Sequence, residues 1–250
     1  MKSIHVFLSI LLVAVLLSSC SLIGFGRNIK TITPSDTIIT ETRTVSGFDE
    51  INMSTIGQVT ITQGDSESLV IKGADNVVPL VKTSVSNGVL TIRMDNNILV
   101  KSMGKEDVLT FTITVKDLSG VTVSGLGAVE MGALSTKALK LVMSGAGAIT
   151  FDKVNAENVN LNVSGLGRIA IAGTTAQVDV EISGAGDVEA AELECQTADV
   201  TISGLGSATV WVTGELTGNI SGGGNVRYYG SPTTNTRTSG LGKFEALGSK

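Results

Sequence analysis

Apolar and polar residues alternate along most of this chain from about residue 41, and the pattern is most regular in the C-terminal half. There a Ser-Gly-x-Gly tetrapeptide recurs at steps of 18 to 20 residues. The positions one and three before each serine, and five and seven after it, are mostly apolar, whereas the positions between them are mostly polar. Each copy therefore predicts two short strands with one buried face, joined by a glycine-rich corner. The seven corners begin at Ser124, Ser144, Ser164, Ser183, Ser203, Ser221 and Ser239.

One copy of about 20 residues cannot enclose its apolar face alone, so the copies are expected to stack and bury a continuous core. The step matches one coil of a parallel β-helix and is too short for a four-stranded propeller blade. The predicted fold class is therefore all-β: a parallel β-helix, or solenoid, with about seven regular coils and a less regular N-terminal β part.

The corners predict three further features. Their glycines indicate either positive φ or close backbone approach, and their stacked serines predict a ladder of hydroxyl hydrogen bonds. Leucine alternates with a small residue between the two glycines, which predicts that each leucine packs over the small residue on the next coil. A threonine-rich last coil predicts a polar cap for the open sheet edge. The alternating positions are Leu126, Ala146, Leu166, Ala185, Leu205, Gly223 and Leu241.

The first residues have the pattern of an export signal. Lys2 precedes an apolar run of about 12 residues, Val6 to Leu17, which is too short for a comfortable membrane span. The run ends in Leu17-Ser18-Ser19-Cys20, which resembles a bacterial lipobox and implies cleavage before Cys20, diacylglycerol on its sulfur and N-acylation. An ordinary signal peptide with an incidental cysteine is the alternative. Several acyl chains would anchor the protein stably at a membrane.

The predicted organisation has three parts. Residues 1–19 form the lipoprotein signal peptide, residues 20–40 the lipidated cysteine and a flexible tether, and residues 41–250 a single β-helix domain. Within that domain, residues 41–117 are expected to form irregular coils and residues 118–250 the Ser-Gly-x-Gly repeats.

Ser21 follows the cysteine, where an aspartate would suggest inner-membrane retention, and residues 21–26 lack the acidic cluster that resembles a surface-export tag. An outer-membrane lipoprotein facing the periplasm is therefore favoured over one on the cell surface. Asp36-Thr37-Ile38 resembles the short O-glycosylation sequence of exported Bacteroidetes proteins, which makes Thr37 a candidate glycosylation site.

Charge and composition narrow the function classes. A net charge of −5 argues against nucleic-acid binding, which needs a basic face. The one histidine, His5, lies in the export signal, which removes histidine-based triads and metal sites from the mature protein. Cys195 has the acidic neighbours Glu192, Glu194 and Asp199, unlike a reactive thiol, so we expect a buried structural cysteine. No catalytic residue, metal site or cofactor is predicted.

Two groups of residues are candidates for function. Asp179 and Asp199 share a column on neighbouring coils with Glu181 nearby, and a carboxylate pair about 5 Å apart could bind a cation or act on sugars. A solvated acidic face is the alternative for that cluster. Trp211 and Tyr229 lie on nearby C-terminal coils and are candidates for a ligand-binding patch, because flat aromatic side chains stack on sugars.

Two other patterns favour structure. Gly165-Leu166-Gly167-Arg168-Ile169-Ala170 fits a loose dinucleotide fingerprint, but the fingerprint needs a helix next and a strand is predicted here. Arg168 and Asp187 share a column on adjacent coils and predict a cross-strand ion pair.

The chain resembles the bacterial family called putative auto-transporter adhesin, head GIN domain, over roughly residues 41–245. The order of several motifs carries this resemblance. It implies an exported protein, often a lipoprotein, with a right-handed parallel β-helix fold and no agreed catalytic residues. The motifs are Phe48-Asp49-Glu50-Ile51, Asn87-Gly88-Val89-Leu90, Asp117-Leu118 and the serial Ser-Gly-x-Gly corners.

These observations favour a lipid-anchored, adhesin-like binding module of the cell envelope, without catalytic activity and with an unknown ligand. Its expected partners are the membrane, through the anchor, and an envelope glycan or protein. Two alternatives stay open: a carbohydrate-active β-helix enzyme, and a structural envelope protein that self-associates. The sequence does not set the oligomeric state.

Overall fold

A computed structural model describes residues 29–101 and 109–250 of this chain. Nineteen strands and one short 3-10 helix, Val78–Leu80, make up the regular structure of these residues. The strands of the N-terminal part are β1 Lys30–Ile32, β2 Ile38–Arg43, β3 Glu50–Ser54, β4 Ile56–Gln63, β5 Ser68–Ala74, β6 Lys82–Ser86, β7 Val89–Arg93, β8 Ile98–Val100 and β9 Thr110–Val115. The strands of the repeats are β10 Gly120–Val123, β11 Leu126–Ser135, β12 Ala138–Met143, β13 Ala148–Val163, β14 Arg168–Ile182, β15 Asp187–Ile202, β16 Ala208–Ile220, β17 Val226–Tyr229, β18 Thr233–Thr238 and β19 Phe244–Gly248.

The repeats stack as parallel coils, which confirms the predicted solenoid. Each strand before the corner serine is hydrogen-bonded to the equivalent strand on the next coil. This series runs from the pairing of β3 with β10 to the pairing of β16 with β18. Strands that follow the serine do the same, from β4 and β11 to β17 and β19. β13, β14 and β15 each run through both sides of a coil and bend where the register shifts, as between Phe151 and Val154.

The four apolar columns point inward as expected. Apart from Gly218, which has no side chain, Tyr228 and the members on the last coil, their side chains are at most 3% exposed, so one core runs along the solenoid. The column before the serine contributes Val123, Met143, Val163, Ile182, Ile202 and Ile220, and the column five after it Val129, Ile149, Ile169, Val188, Ala208 and Val226.

The regular stack begins earlier than the sequence indicated. Residues 50–63, expected among irregular coils, form a full coil whose corner is Ser54-Thr55-Ile56-Gly57. Ile56 and Gly57 pair in register with Leu126 and Gly127. Threonine stands where the later corners have their first glycine, which concealed this copy in the sequence.

Antiparallel strands close the N-terminal end. β9 pairs in parallel with β4, but β5 pairs antiparallel with β9, and β2 antiparallel with β5. On the other side, the hairpin of β6 and β7 turns at Asn87 and Gly88, which both have positive φ. Residues 30–40, expected in a flexible tether, contain β1, paired with β8, and the start of β2.

Close backbone approach explains the corner glycines. None of the seven Ser-Gly-x-Gly corners has a glycine with positive φ. A Cβ on Gly165 would instead lie against the carbonyl oxygen of Gly145 and 2.6 Å from that of Ser144. Backbone bonds hold the stack, as where the Ser164 N–H donates to the Met143 carbonyl at 3.0 Å. The predicted serine ladder was wrong: among these corners no hydroxyl bonds to another, and all seven serines are exposed.

The corner leucines are exposed, not packed inside. Leu126, Leu166, Leu205 and Leu241 retain 67%, 73%, 74% and 97% of their accessible surface. The prediction that each covers the small residue on the next coil was therefore wrong as an account of core packing. The corner residues of adjacent coils contact each other only on the outer surface; a Cβ on Gly223, for example, would lie 3.1 Å from Leu205 Cδ2.

The C-terminal end is closed by polar residues and one ring. All six residues of β18 are exposed, as expected for a polar cap. Gly218 stands in an inward column, and a Cβ there would lie 2.5 Å from two ring atoms of Phe244. The Phe244 ring thus fills the space that the missing side chain leaves.

Candidate functional site

The two aromatic residues selected from the sequence lie side by side. Trp211 on β16 and Tyr229 on β17 are direct partners in the parallel register. Val210 and Val212 are buried, so the strand alternation turns Trp211 to the outer face, where it is half-buried. The structure therefore brings Trp211 and Tyr229 together as one aromatic pair.

Lys250 lies over both rings. Its Nζ is 5.1 Å from the centroid of the Trp211 ring and 5.3 Å from that of Tyr229, which is cation–π distance. The same Nζ forms an ion pair with Glu192 and donates to the Ala191 carbonyl. Lys250 and Glu192 were not identified from the sequence, because residues 58 positions apart with no shared motif give no signal of proximity. We call Trp211, Tyr229, Lys250 and Glu192 the aromatic patch.

The three selected carboxylates also meet on one face. Asp179 and Asp199 are register partners on β14 and β15, and with Glu181 they line a shallow cleft of about 270 Å³. Gln177 Nε2 donates to Asp179 Oδ1 at 3.1 Å, and Asn162 Nδ2 donates to Glu181 Oε2 at 3.0 Å.

Asp199 differs electrostatically from an ordinary surface carboxylate. Partial burial raises its pKa, and the negative charge of Asp179 raises it further. A raised pKa in the folded state imposes a cost on folding above that pKa, and the cost is relieved as the pH falls through it. No group of three or more histidine, cysteine, aspartate or glutamate side chains among residues 29–101 and 109–250 is arranged to hold a metal ion.

The predicted Arg168–Asp187 ion pair was wrong, although the two residues are register partners. Arg168 Nη2 instead lies 3.5 Å from Glu189 Oε1, two residues further along β15. Asp187 Oδ1 accepts a hydrogen bond from the Ser207 N–H at 3.0 Å. The long arginine side chain reaches past its partner, and the short aspartate bonds to the neighbouring backbone.

Cys195 is a buried structural residue, as expected. It is 1% exposed, and its thiol donates to the Trp211 carbonyl with Sγ 3.2 Å from the oxygen. Burial, followed by the charge of Glu194, raises its pKa to about 12, so the thiol stays protonated and unreactive near neutral pH.

One cleft on the outer surface was not found from the sequence. It has a volume of about 550 Å³ and is lined by Lys116 and Lys153 among other residues. Gln63 closes one side, because its amide accepts from Ser135 N–H at 3.0 Å and donates to the Ser135 and Lys116 carbonyls. Gln63 and Ser135 are 72 positions apart, and only the stacking of coils joins them.

Of the candidate modification sites near the N-terminus, only Thr37 lies among the residues that the structure describes. Cys20 and the export signal lie outside the described residues. Thr37 is exposed just before β2, and its carbonyl accepts a hydrogen bond from Asp75 N–H at 2.9 Å. In the described part of the chain, no helix has the length and apolar character needed to cross a membrane.

Solved structures from Bacteroides and Parabacteroides species share this fold. A putative adhesin from Bacteroides fragilis superposes with a TM-score of 0.82 at 27% identity, covering 86% of this chain and all of that one. A protein described as a putative lipid binding protein, from Parabacteroides distasonis, gives a TM-score of 0.71 at 21% identity over 87% of this chain and all of its own. A putative adhesin from Parabacteroides merdae gives 0.67 at 19% identity, over 87% of this chain and 99% of its own. The last two likenesses show the fold alone.

No protein with a curated description matches this chain. A family profile, however, matches residues 47–232, which is most of the chain and nearly all of the stacked coils. The proteins in this family and the Bacteroides fragilis neighbour are described as putative adhesins, a class found at the cell envelope or surface. The chain belongs to the family described as putative auto-transporter adhesin, head GIN domain.

Proposed function

We propose that this protein is a lipid-anchored, adhesin-like binding module of the cell envelope that performs no catalysis. The family description and the Bacteroides fragilis neighbour support an adhesin. The lipobox-like Leu17-Ser18-Ser19-Cys20 supports a lipid anchor. Ser21 after the cysteine favours the outer membrane, and the absence of an acidic cluster in residues 21–26 favours the periplasmic side. The chain's acidic net charge of −5 agrees with a partner other than nucleic acid.

The aromatic patch is the proposed binding surface, and an envelope glycan is the proposed ligand. The register pairing of Trp211 and Tyr229 carries this proposal, because it places two rings on adjacent strands about 4.8 Å apart. Flat rings offer apolar faces for the C–H faces of a sugar, while the Glu192 carboxylate can accept hydrogen bonds from its hydroxyls. Lys250 contacts both rings, so a sugar that stacks on them must displace its ammonium group.

Substituting the aromatic residues should therefore weaken glycan binding. We expect Trp211→Ala to lower the affinity for a glycan selected on an array by about tenfold, the loss of one stacking contact. Trp211→Phe should keep most of the affinity, and Lys250→Ala should increase it. Isothermal titration of the full chain measures these changes, and thermal melting checks that each variant is folded. Failure to bind any envelope glycan, or equal binding by Trp211→Ala, would contradict the proposal.

The anchor is tested separately at Cys20. In a diderm host, the native chain should incorporate radiolabelled palmitate and remain with the outer membrane after fractionation. Cys20→Ser should lose the label and appear in the soluble fraction. Cys195→Ser is the matched control, because that thiol is buried and should carry no label. Equal labelling of the native chain and Cys20→Ser would rule out lipidation at this residue.

A carbohydrate-active enzyme is the second candidate function, and one observation favours it. Asp199, with a raised pKa beside Asp179, resembles a carboxyl that can act as a general acid. Turnover of a polysaccharide that Asp179→Asn abolishes, with the fold intact, would replace the non-catalytic proposal.

A further inference from the structure

The exposed corner leucines form a regular apolar ridge along the outside of the solenoid. Leucines 67% to 97% exposed stand on every second coil, and Ala146, Ala185 and Gly223 occupy the coils between them. Six inter-coil steps of about 4.8 Å give the ridge a length of about 29 Å. We call this row, from Leu126 to Leu241, the leucine ridge.

Two properties of the leucine ridge point to a specific partner. The four corner positions carry no charged residue on any of the seven coils, although the chain has a net charge of −5. Large and small residues also alternate with a period of about 9.6 Å, twice the strand spacing. Binding to a lipid surface does not require such a period. A partner whose large and small residues also alternate every 9.6 Å could interdigitate with the leucine ridge along its whole length. A second copy of this chain has that period.

We propose that the leucine ridge joins two copies of this chain into an antiparallel dimer. A twofold axis perpendicular to the solenoid, passing between the coil of Leu166 and the coil of Ala185, places every ridge leucine but Leu241 opposite a small residue. Leu241, at the end of the ridge, comes opposite the half-buried Ile56. Leu166 then faces Ala185 of the second copy, Leu205 faces Ala146, and Leu126 faces Gly223. Because the axis is twofold, each contact occurs twice.

Charges beside the ridge favour this same register. Arg168 and Asp187 stand two residues after Leu166 and Ala185, in the row that flanks the ridge. The twofold axis maps this row onto its own side, so Arg168 of each copy lies opposite Asp187 of the other. The Arg168 side chain is 59% exposed, and within residues 29–101 and 109–250 its one ion-pair contact is to Glu189 at 3.5 Å. Other N–H donors of its guanidinium can therefore bind a second carboxylate. Moving the axis by one coil would place Arg168 opposite the neutral Asn225 instead.

The dimer should be weak in dilute solution. A strip about 29 Å long and roughly 12 Å wide covers on the order of 350 Å² of each copy, less than half of the ~800 Å² per partner in a stable complex. Association should therefore depend on high local concentration. This inference does not rest on the aromatic patch or on the lipid anchor.

Replacing the small ridge residues by leucine distinguishes interdigitation from nonspecific hydrophobic association. The full chain, purified from membranes in density-matched detergent, is followed by sedimentation equilibrium up to millimolar concentration. We expect a monomer–dimer equilibrium that Ala146→Leu with Ala185→Leu weakens by at least tenfold, although this variant is more apolar. Leu166→Asp with Leu205→Asp should abolish it, while Leu99→Asp, a change at an exposed leucine off the ridge, should not. Arg168→Glu should weaken it more than Lys243→Glu, which makes the same change of charge at the end of the same row, where Asp187 of the other copy does not lie opposite.

Crosslinking tests the antiparallel geometry. With a short bismaleimide, Ala185→Cys should crosslink between copies because it lies one coil from its symmetry mate. Ala146→Cys should not, because its mate is three coils away, about 14 Å along the ridge. A native chain that stays monomeric at millimolar concentration would overturn the proposal. So would stronger association after replacing the small ridge residues by leucine, insensitivity to the aspartates, equal crosslinking at both sites, or leucine-dependent binding to phosphatidylcholine vesicles in place of self-association.

Discussion

Gly204→Ala is expected to destabilise the protein by about 3 kcal/mol or more, or to prevent folding altogether. A Cβ at this corner would lie against the Gly184 carbonyl oxygen and 2.8 Å from the Ser183 carbonyl oxygen. Both atoms belong to the backbone of the adjacent coil, which is held by its own stacking bonds and cannot move aside locally. The clash would therefore have to be relieved by separating two coils. Thermal unfolding followed by circular dichroism should show a fall in Tm of about 6–12 °C.

Gly132→Ala is the matched control for this prediction. A Cβ at Gly132 meets nothing within 4 Å, and its φ is not positive. Alanine there should leave Tm within about 2 °C of the native value. If Gly204→Ala behaved like Gly132→Ala, the close approach of the corners would be incorrect.

Leu161→Ala is expected to cost about 3–4 kcal/mol, because it removes a completely buried side chain and leaves a cavity between coils. Urea unfolding should show a lower midpoint with an unchanged slope. Leu166→Ala changes the same residue type on the same coil, but Leu166 is 73% exposed, so its substitution should cost less than about 0.5 kcal/mol. Similar costs for the two variants would mean that the leucine ridge is buried.

The repeat and its core could be predicted from the sequence. The two-residue alternation within strands and the regular spacing of the Ser-Gly-x-Gly corners together determine which side chains point inward. The columns headed by Val123 and Val129 could be identified without coordinates for this reason. The coil of residues 50–63 could not, since Thr55 replaces a glycine and an insertion of some 55 residues separates it from the next coil. The antiparallel closure by β5 and β9 has no period of its own.

The candidate sites were predictable only where their residues fall in register. Asp179 and Asp199, and likewise Trp211 and Tyr229, are direct strand partners, so alignment of the repeats was enough to pair them. Lys250 reaches the aromatic patch from outside the repeats, and no alignment could place it there. The corner leucines show a third limit: alternation of large and small residues indicates interdigitation but does not say whether the partner lies in the same chain.

The alternation of leucine and small residues on the outer surface is kept only when coils are added or lost in pairs. The core does not require coils to be added in pairs, because every inner coil presents the same apolar columns and each corner glycine packs only against the coils next to it. One inserted coil of about 20 residues would leave the core continuous. It would also bring two leucines, or two small residues, next to each other and reverse the pattern of everything beyond. Duplication or loss of two coils together would lengthen or shorten the solenoid and keep its outer surface in phase.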